Sequence, residues 1–140
     1  MINEYVAPIF TVLGVILGGG VSYFTNTKVK QVEFRQSMIR YELENRRKLY
    51  SDFLAEANKL ALISIENKSS SPTFLLDISR LLAEIELVGS KDIHKQARRI
   101  LEYIVNAHSK DAKNIEALPL IRAQFVELVK LEFNSIEKKV

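Results

Sequence analysis

With 140 residues the chain has room for one domain and little more, and a formal charge of +3 is too small to mark a general nucleic-acid binder. The complete lack of cysteine excludes disulfides, thiolate catalysis and thiolate metal sites. The apolar fraction of 47% is unevenly spread: no charged residue lies between Tyr5 and Thr27, whereas charges are frequent beyond.

That first stretch, YVAPIFTVLGVILGGGVSYFTNT, is 23 uncharged residues. About 20 helical residues cross a hydrocarbon core of ~30 Å, so residues 1–27 are expected to form one N-terminal transmembrane helix. A cleaved signal peptide would begin with a basic region, and the first four residues here contain Glu4 and no Lys or Arg. Lys and Arg stay on the cytoplasmic side of a bilayer. Lys28, Lys30, Arg35 and Arg40 follow the span. The expected topology is therefore single-pass in the inner (plasma) membrane, with the N-terminus outside and the C-terminal domain cytoplasmic. Tyr5 at one end and Tyr23 and Phe24 at the other are placed as interfacial anchors. Ala7, Thr11, Gly14, Gly18, Ser22 and Thr25 recur at three- and four-residue spacing, which puts these mostly small residues in one stripe containing a GxxxG. Helices in lipid associate by close backbone packing at such stripes, so self-association into a homo-oligomer is expected there. The run Gly18–Gly20 weakens the helix and permits bending.

Residues 28 to 48 hold seven basic and three acidic residues, while residues 49 to 140 hold thirteen of each. The basicity is juxtamembrane. Lys28, Lys30, Arg35 and Arg40 are expected to contact anionic lipid headgroups, an attraction of ~1 kcal/mol per residue near the surface. From Val29 to about Asn67 there is no Pro or Gly, and good helix formers dominate. Ile39, Leu43, Tyr50, Phe53, Ala57 and Leu60 step by three, four or seven, with Arg46 interrupting the stripe. Residues 28–45 read as a basic helical stalk. The cluster Arg46, Arg47, Lys48 reads as a solvated face, a lipid-facing patch or a partner contact. Interleaved Glu42 and Glu44 argue against phosphate tracking, and no nucleic-acid partner is expected.

The segment Lys68–Ser71 breaks the long helix, and Ser71 followed by Pro72 is a helix start. A helix over about 72–88 should bury Leu75, Ile78, Leu81, Leu82 and Ile85. Gly89 ends it and Ser90 caps the next, over about 91–108, with Ile93, Ala97, Ile100, Leu101, Ile104 and Val105 inward. Residues 109–117 read as a polar connection. Pro119 sits in the first turn of a last helix reaching about Lys138, which should bury Leu118, Ile121, Phe125, Leu128, Val129 and Ile136. Short connections make consecutive helices antiparallel neighbours. The expected fold is all-α: one transmembrane helix, a long helical stalk, and an antiparallel four-helix bundle over residues 46–140.

Nothing in the pattern builds an active site. His94 and His108 lie 14 residues apart on one helix, ~21 Å along its axis, and cannot share a metal. His94 falls in a stripe with Arg98 and Glu102 that reads as a solvated face. Helical ribonucleases of the HEPN class need a shorter Arg-to-His spacing than Arg98 or Arg99 offers to His108. The clustered glycines lie in the apolar segment, so no phosphate-cradling loop exists. No enzyme activity, cofactor or metal is expected.

The pattern RRKLYSDFLAEANKL (Arg46 to Leu60), AEIELVGSKDI (Ala83 to Ile93) and AQFVELVKLEF (Ala123 to Phe133) resembles small, largely uncharacterised bacterial single-span membrane proteins with a helical cytosolic domain. The resemblance covers roughly residues 46 to 135 and implies a helical bundle without an assigned activity. The architecture is also similar to that of membrane effectors of bacterial antiphage systems. Two functions are therefore expected. The first is a membrane-anchored interaction or scaffold module with an unidentified protein partner. The second is an oligomeric pore or membrane-disrupting effector, whose lumen could use only Thr11, Ser22, Thr25 and Asn26.

Overall fold

The computed structural model describes residues 3–66, 72–108 and 118–138, without the side chains of residues 3–10, 12, 13, 17, 66 and 72. All regular structure among them is helical: α1 (Asn3–Glu66), a 3-10 turn (Pro72–Leu75), α2 (Leu76–Val88), α3 (Lys91–His108) and α4 (Leu118–Glu137). The chain divides into two compact units, residues 1–39 and 40–140, with the boundary inside α1.

The first unit is a single helical stretch, and the Gly18–Gly20 run does not interrupt it. Its large apolar side chains, among them Val15, Ile16, Val21, Phe24, Val29, Val32, Phe34 and Met38, are exposed. Among the described residues no helix is long and apolar enough to cross a membrane. The expected span, Tyr5–Thr27, lies partly outside them, because the side chains of residues 5–10, 12, 13 and 17 are not described.

The second unit is organised by one apolar core to which all four helices contribute. α1 supplies Leu49, Tyr50, Phe53, Ala57 and Leu60; α2 supplies Ile78, Leu81 and Ile85; α3 supplies Ile93, Ala97, Ile100 and Ile104; α4 supplies Ile121 and Phe125. Apart from the adjacent pair Leu49 and Tyr50, these residues recur at three- and four-residue steps, so one stripe per helix is withdrawn from water. Burying an aliphatic or aromatic side chain of this size contributes ~1.5–3 kcal/mol. Phe125 anchors the centre: its ring lies 5.7 Å from that of Phe53 and 5.9 Å, edge-on, from that of Tyr50. Phe133 stacks on Tyr50 at 6.0 Å.

The corner between α2 and α3 is closed by Gly89 and Ser90. The Gly89 N–H donates to the Ile85 carbonyl at 2.8 Å. Gly89 has φ −81° and ψ 164°, an extended conformation open to any residue, so its glycine answers a space requirement. A Cβ there would stand 2.8 Å from the Ile85 carbonyl oxygen and 3.1 Å from the Tyr50 hydroxyl. Ser90 caps α3: its carbonyl accepts from the His94 N–H at 2.9 Å and its Oγ from the Ile93 N–H at 3.4 Å.

Several expectations are corrected in detail. The helix expected over 72–88 starts as a 3-10 turn and becomes α-helical only at Leu76, where Leu75 provides no side-chain cap. Val105 is 43% exposed rather than inward, because α3 already fills its core face with Ile100 and Ile104. Leu75, Leu82, Leu101, Leu118, Leu128 and Val129 pack half-buried around the core rather than inside it. The break at Lys68–Ser71, the Ser71 cap and the polar connection 109–117 lie outside the described residues.

Candidate functional site

The carboxylate of Glu132, on α4, joins three separate parts of the second unit. Its Oε1 accepts from the Arg46 guanidinium and from the Tyr50 hydroxyl, the latter at 2.8 Å. Its Oε2 accepts from the Ser90 backbone N–H at 3.1 Å. Arg46 also donates to Glu42 Oε1, one turn earlier on α1, at 2.8 Å. The Arg46 and Glu132 side chains are only 19% and 10% exposed, so their attraction is far less screened than that of a surface pair.

The electrostatics follow. Burial works against the Arg46 charge, yet the hydrogen bond and charge of Glu132, with help from Glu42, hold its pKa above the ordinary value. Burial, reinforced by the bond to Glu132 and its negative charge, pushes the Tyr50 hydroxyl well above its ordinary value, with Arg46 opposing. This arrangement is suited to tying α1, α4 and the α2–α3 corner together, not to moving protons.

A second polar junction joins α3 to α4. The buried Gln96 donates through Nε2 to the Ile121 carbonyl at 2.9 Å and to Gln124 Oε1 at 3.0 Å. Arg99 donates to Gln96 Oε1 at 3.1 Å and to Gln124 Oε1 at 3.2 Å.

The histidines stand apart from both. His108 is buried, with Nε2 3.1 Å from the Leu60 carbonyl and its ring 4.3 Å from that of Phe74, a structural placement. Of the stripe His94, Arg98 and Glu102 expected on a solvated face, His94 is the member partly withdrawn from solvent. It is half-buried, with Nε2 3.7 Å from Glu86 Oε2. Arg98 and Glu102 are exposed. Among the described residues no group of three or more His, Asp or Glu side chains could hold a metal ion.

The residues expected from the sequence to act at the membrane all lie on α1. Thr11, Gly14, Gly18, Ser22 and Thr25 are exposed, and a Cβ added at Gly14 or Gly18 would meet nothing within 4 Å. The Ala7 side chain lies outside the described set. The Thr25 hydroxyl donates to the Val21 carbonyl and that of Thr27 to the Tyr23 carbonyl, each at 2.8 Å. Lys28, Lys30, Arg35 and Arg40 are exposed. The Arg46–Lys48 cluster does not act as one patch. Arg46 turns inward to Glu132, Arg47 lies 5.9 Å over the Phe133 ring, and Lys48 is exposed.

Sequence reasoning missed Glu132, Gln96 and the role of the Tyr50 hydroxyl. The signal for the first was Arg46 itself: a cation inside an apolar stripe requires a carboxylate from another element. Compared with protein-family models, with curated proteins and with solved structures, the chain matches none.

Proposed function

We propose that the chain is a single-pass membrane protein. Residues 1–27 anchor it, residues 28–45 form a basic juxtamembrane helix, and residues 46–140 form an antiparallel four-helix bundle that presents a docking surface to a protein partner. The reading is carried by α1. Between Tyr5 and Thr27 the sequence has no charge, and Val15, Ile16, Val21 and Phe24 are exposed. In water such a row of side chains is costly; in hydrocarbon it is the expected surface. The Thr25 and Thr27 hydroxyls support the same surroundings, because each is satisfied by the carbonyl one turn earlier and needs no water. On the bundle, Leu87 and Ile65 are 84% and 81% exposed, an unusual display for large aliphatic side chains and a candidate part of the partner surface.

Fractionation of expressing cells tests the anchor. The full-length chain is expected in the membrane pellet after alkaline and high-salt washes, and released only by detergent. Recovery in the washed supernatant would overturn the reading.

The rival reading, an assembled pore of the antiphage-effector type, needs a polar lumen built from Thr11, Ser22, Thr25 and Asn26. The Thr25 hydroxyl spends its one donor on the Val21 carbonyl, leaving only acceptor capacity for a lumen. Depolarisation of the membrane on induced expression, read with a potential-sensitive dye, would favour the pore over the scaffold.

A further inference from the structure

From Thr25 onward α1 carries a heptad seam. Thr25, Val29, Val32, Gln36 and Ile39 follow steps of four and three, and the same steps continue through Leu43, Arg46, Tyr50, Phe53, Ala57 and Leu60. Period 3.5 is the spacing of helices that wind around one another. From Tyr50 onward the seam is filled by the chain's own α2, α3 and α4. Upstream the cover falls away in steps: Leu43 is buried and Ile39 half-buried, whereas Gln36 is exposed and Val29 and Val32 are 46% and 55% exposed. Continued towards the N-terminus, the register passes through Ser22, Gly18, Val15 and Thr11, sharing Ser22, Gly18 and Thr11 with the small-residue stripe but taking Val15 in place of Gly14.

We propose that a second copy of this chain occupies this face, packed in parallel along Val29, Val32, Gln36 and Ile39. Three observations select a second copy over another occupant. The face is continuous in register with one already built to receive helices. Gln36 stands at a core-type position, and its amide carries both donors and acceptors, so two such side chains meeting across a two-fold axis satisfy each other. In a parallel pair Lys28 faces Glu33 of the second copy at the flanking positions, an attraction of opposite charges. The next flanking pair, Arg35 with Arg40 of the second copy, is like-charged and tunes the pairing down. The other exposed apolar residues of this stretch, Phe34, Met38 and Tyr41, lie on the opposite side of the helix and take no part. The parallel orientation rests on the anchored reading; the choice of face does not.

The cysteine-free sequence allows a direct test. Single variants of the full-length chain, Val29→Cys, Val32→Cys, Gln36→Cys and Ile39→Cys, are compared with Gln31→Cys, Phe34→Cys and Met38→Cys after mild oxidation of expressing membranes. Disulfide-linked dimer is expected to be severalfold more abundant in the first set. Arg35→Glu should raise the Val32→Cys yield; Lys28→Glu should lower it, and adding Glu33→Lys should restore it. A maximum at Gln31, Phe34 and Met38, a flat profile or no dimer at any position would overturn the proposal. The fraction in which the chain is found is read separately. A membrane-bound chain with a flat profile sinks this inference alone, whereas a soluble chain with the same periodic profile sinks the anchor alone.

Discussion

Tyr50 and Glu132 stand 82 positions apart in the chain and meet through a 2.8 Å hydrogen bond from the phenol to the carboxylate. The same carboxylate oxygen accepts from Arg46, and the other holds the backbone of Ser90. One side chain on α4 thereby fixes α1 and the α2–α3 corner against the core.

Removing that carboxylate should be expensive. Glu132→Ala leaves a half-buried guanidinium without its main counter-charge and is expected to lower stability by about 3 kcal/mol, measured by guanidinium unfolding. Replacing Arg46 and Glu132 together by Met and Leu should recover most of the loss, since an apolar pair leaves no charge unmatched. A double variant no more stable than Glu132→Ala would refute this account of the cluster.

Alkaline stability follows from Tyr50. Its hydroxyl titrates higher in the folded chain than the ordinary value of about 10. A group whose pKa rises on folding contributes stability that is complete below the unfolded value and is lost as pH climbs towards the folded one. The melting temperature is therefore expected to fall as pH passes about 10. Tyr50→Phe should start lower, for want of the bond to Glu132, and show a shallower decline over that range. Thermal melts of both proteins between neutral pH and pH 11 check the sign.

Gly89→Ala tests the corner. Its methyl group would press on the Ile85 carbonyl oxygen, which is backbone and cannot turn aside, and on the Tyr50 hydroxyl. A destabilisation of about 1–3 kcal/mol is expected, the range of overpacked positions. Adding Tyr50→Phe should relieve only the smaller part, because the carbonyl contact remains. A neutral Gly89→Ala would show that the corner opens without penalty.

At the α3–α4 junction, Gln96→Leu keeps the volume of the side chain and discards its hydrogen bonds. A loss of about 1 kcal/mol is expected by chemical denaturation. Arg99→Ala should cost less, because Gln96 retains its bonds to Ile121 and Gln124. The reverse order would mean that the guanidinium, not the buried amide, holds the junction.

Most of the fold was legible because it is written in periodicity. The stripe through Tyr50, Phe53, Ala57 and Leu60, the Gly89–Ser90 corner and the α3 face at Ile93, Ala97, Ile100 and Ile104 each follow from spacing within one helix. Glu132, Gln96 and the Tyr50 hydroxyl did not, because their importance lies in partners 25 to 86 residues away and one helix at a time carries no record of that. The half-burial of His94, whose Nε2 lies 3.7 Å from Glu86 of the preceding helix, is likewise not written in the spacing of α3 alone. Function was the least legible, since Gly14, Gly18, Ser22, Lys28, Lys30, Arg35 and Arg40 of α1 are exposed, and exposure alone does not reveal a use.

Glu132 also follows in the sequence every group it holds. Synthesis delivers Arg46, Tyr50 and Ser90 first, and long-range contacts of this kind close late because the intervening chain must be ordered before they form. During the interval the nascent α1 carries a cation with only its helix neighbour Glu42 as counter-charge, and a bare phenol, on the very face that later becomes interior. The arrival of α4 is thus the step that converts a collection of helices into a closed domain, and it sets the moment at which that face is no longer open to chaperones or to a wrong neighbour.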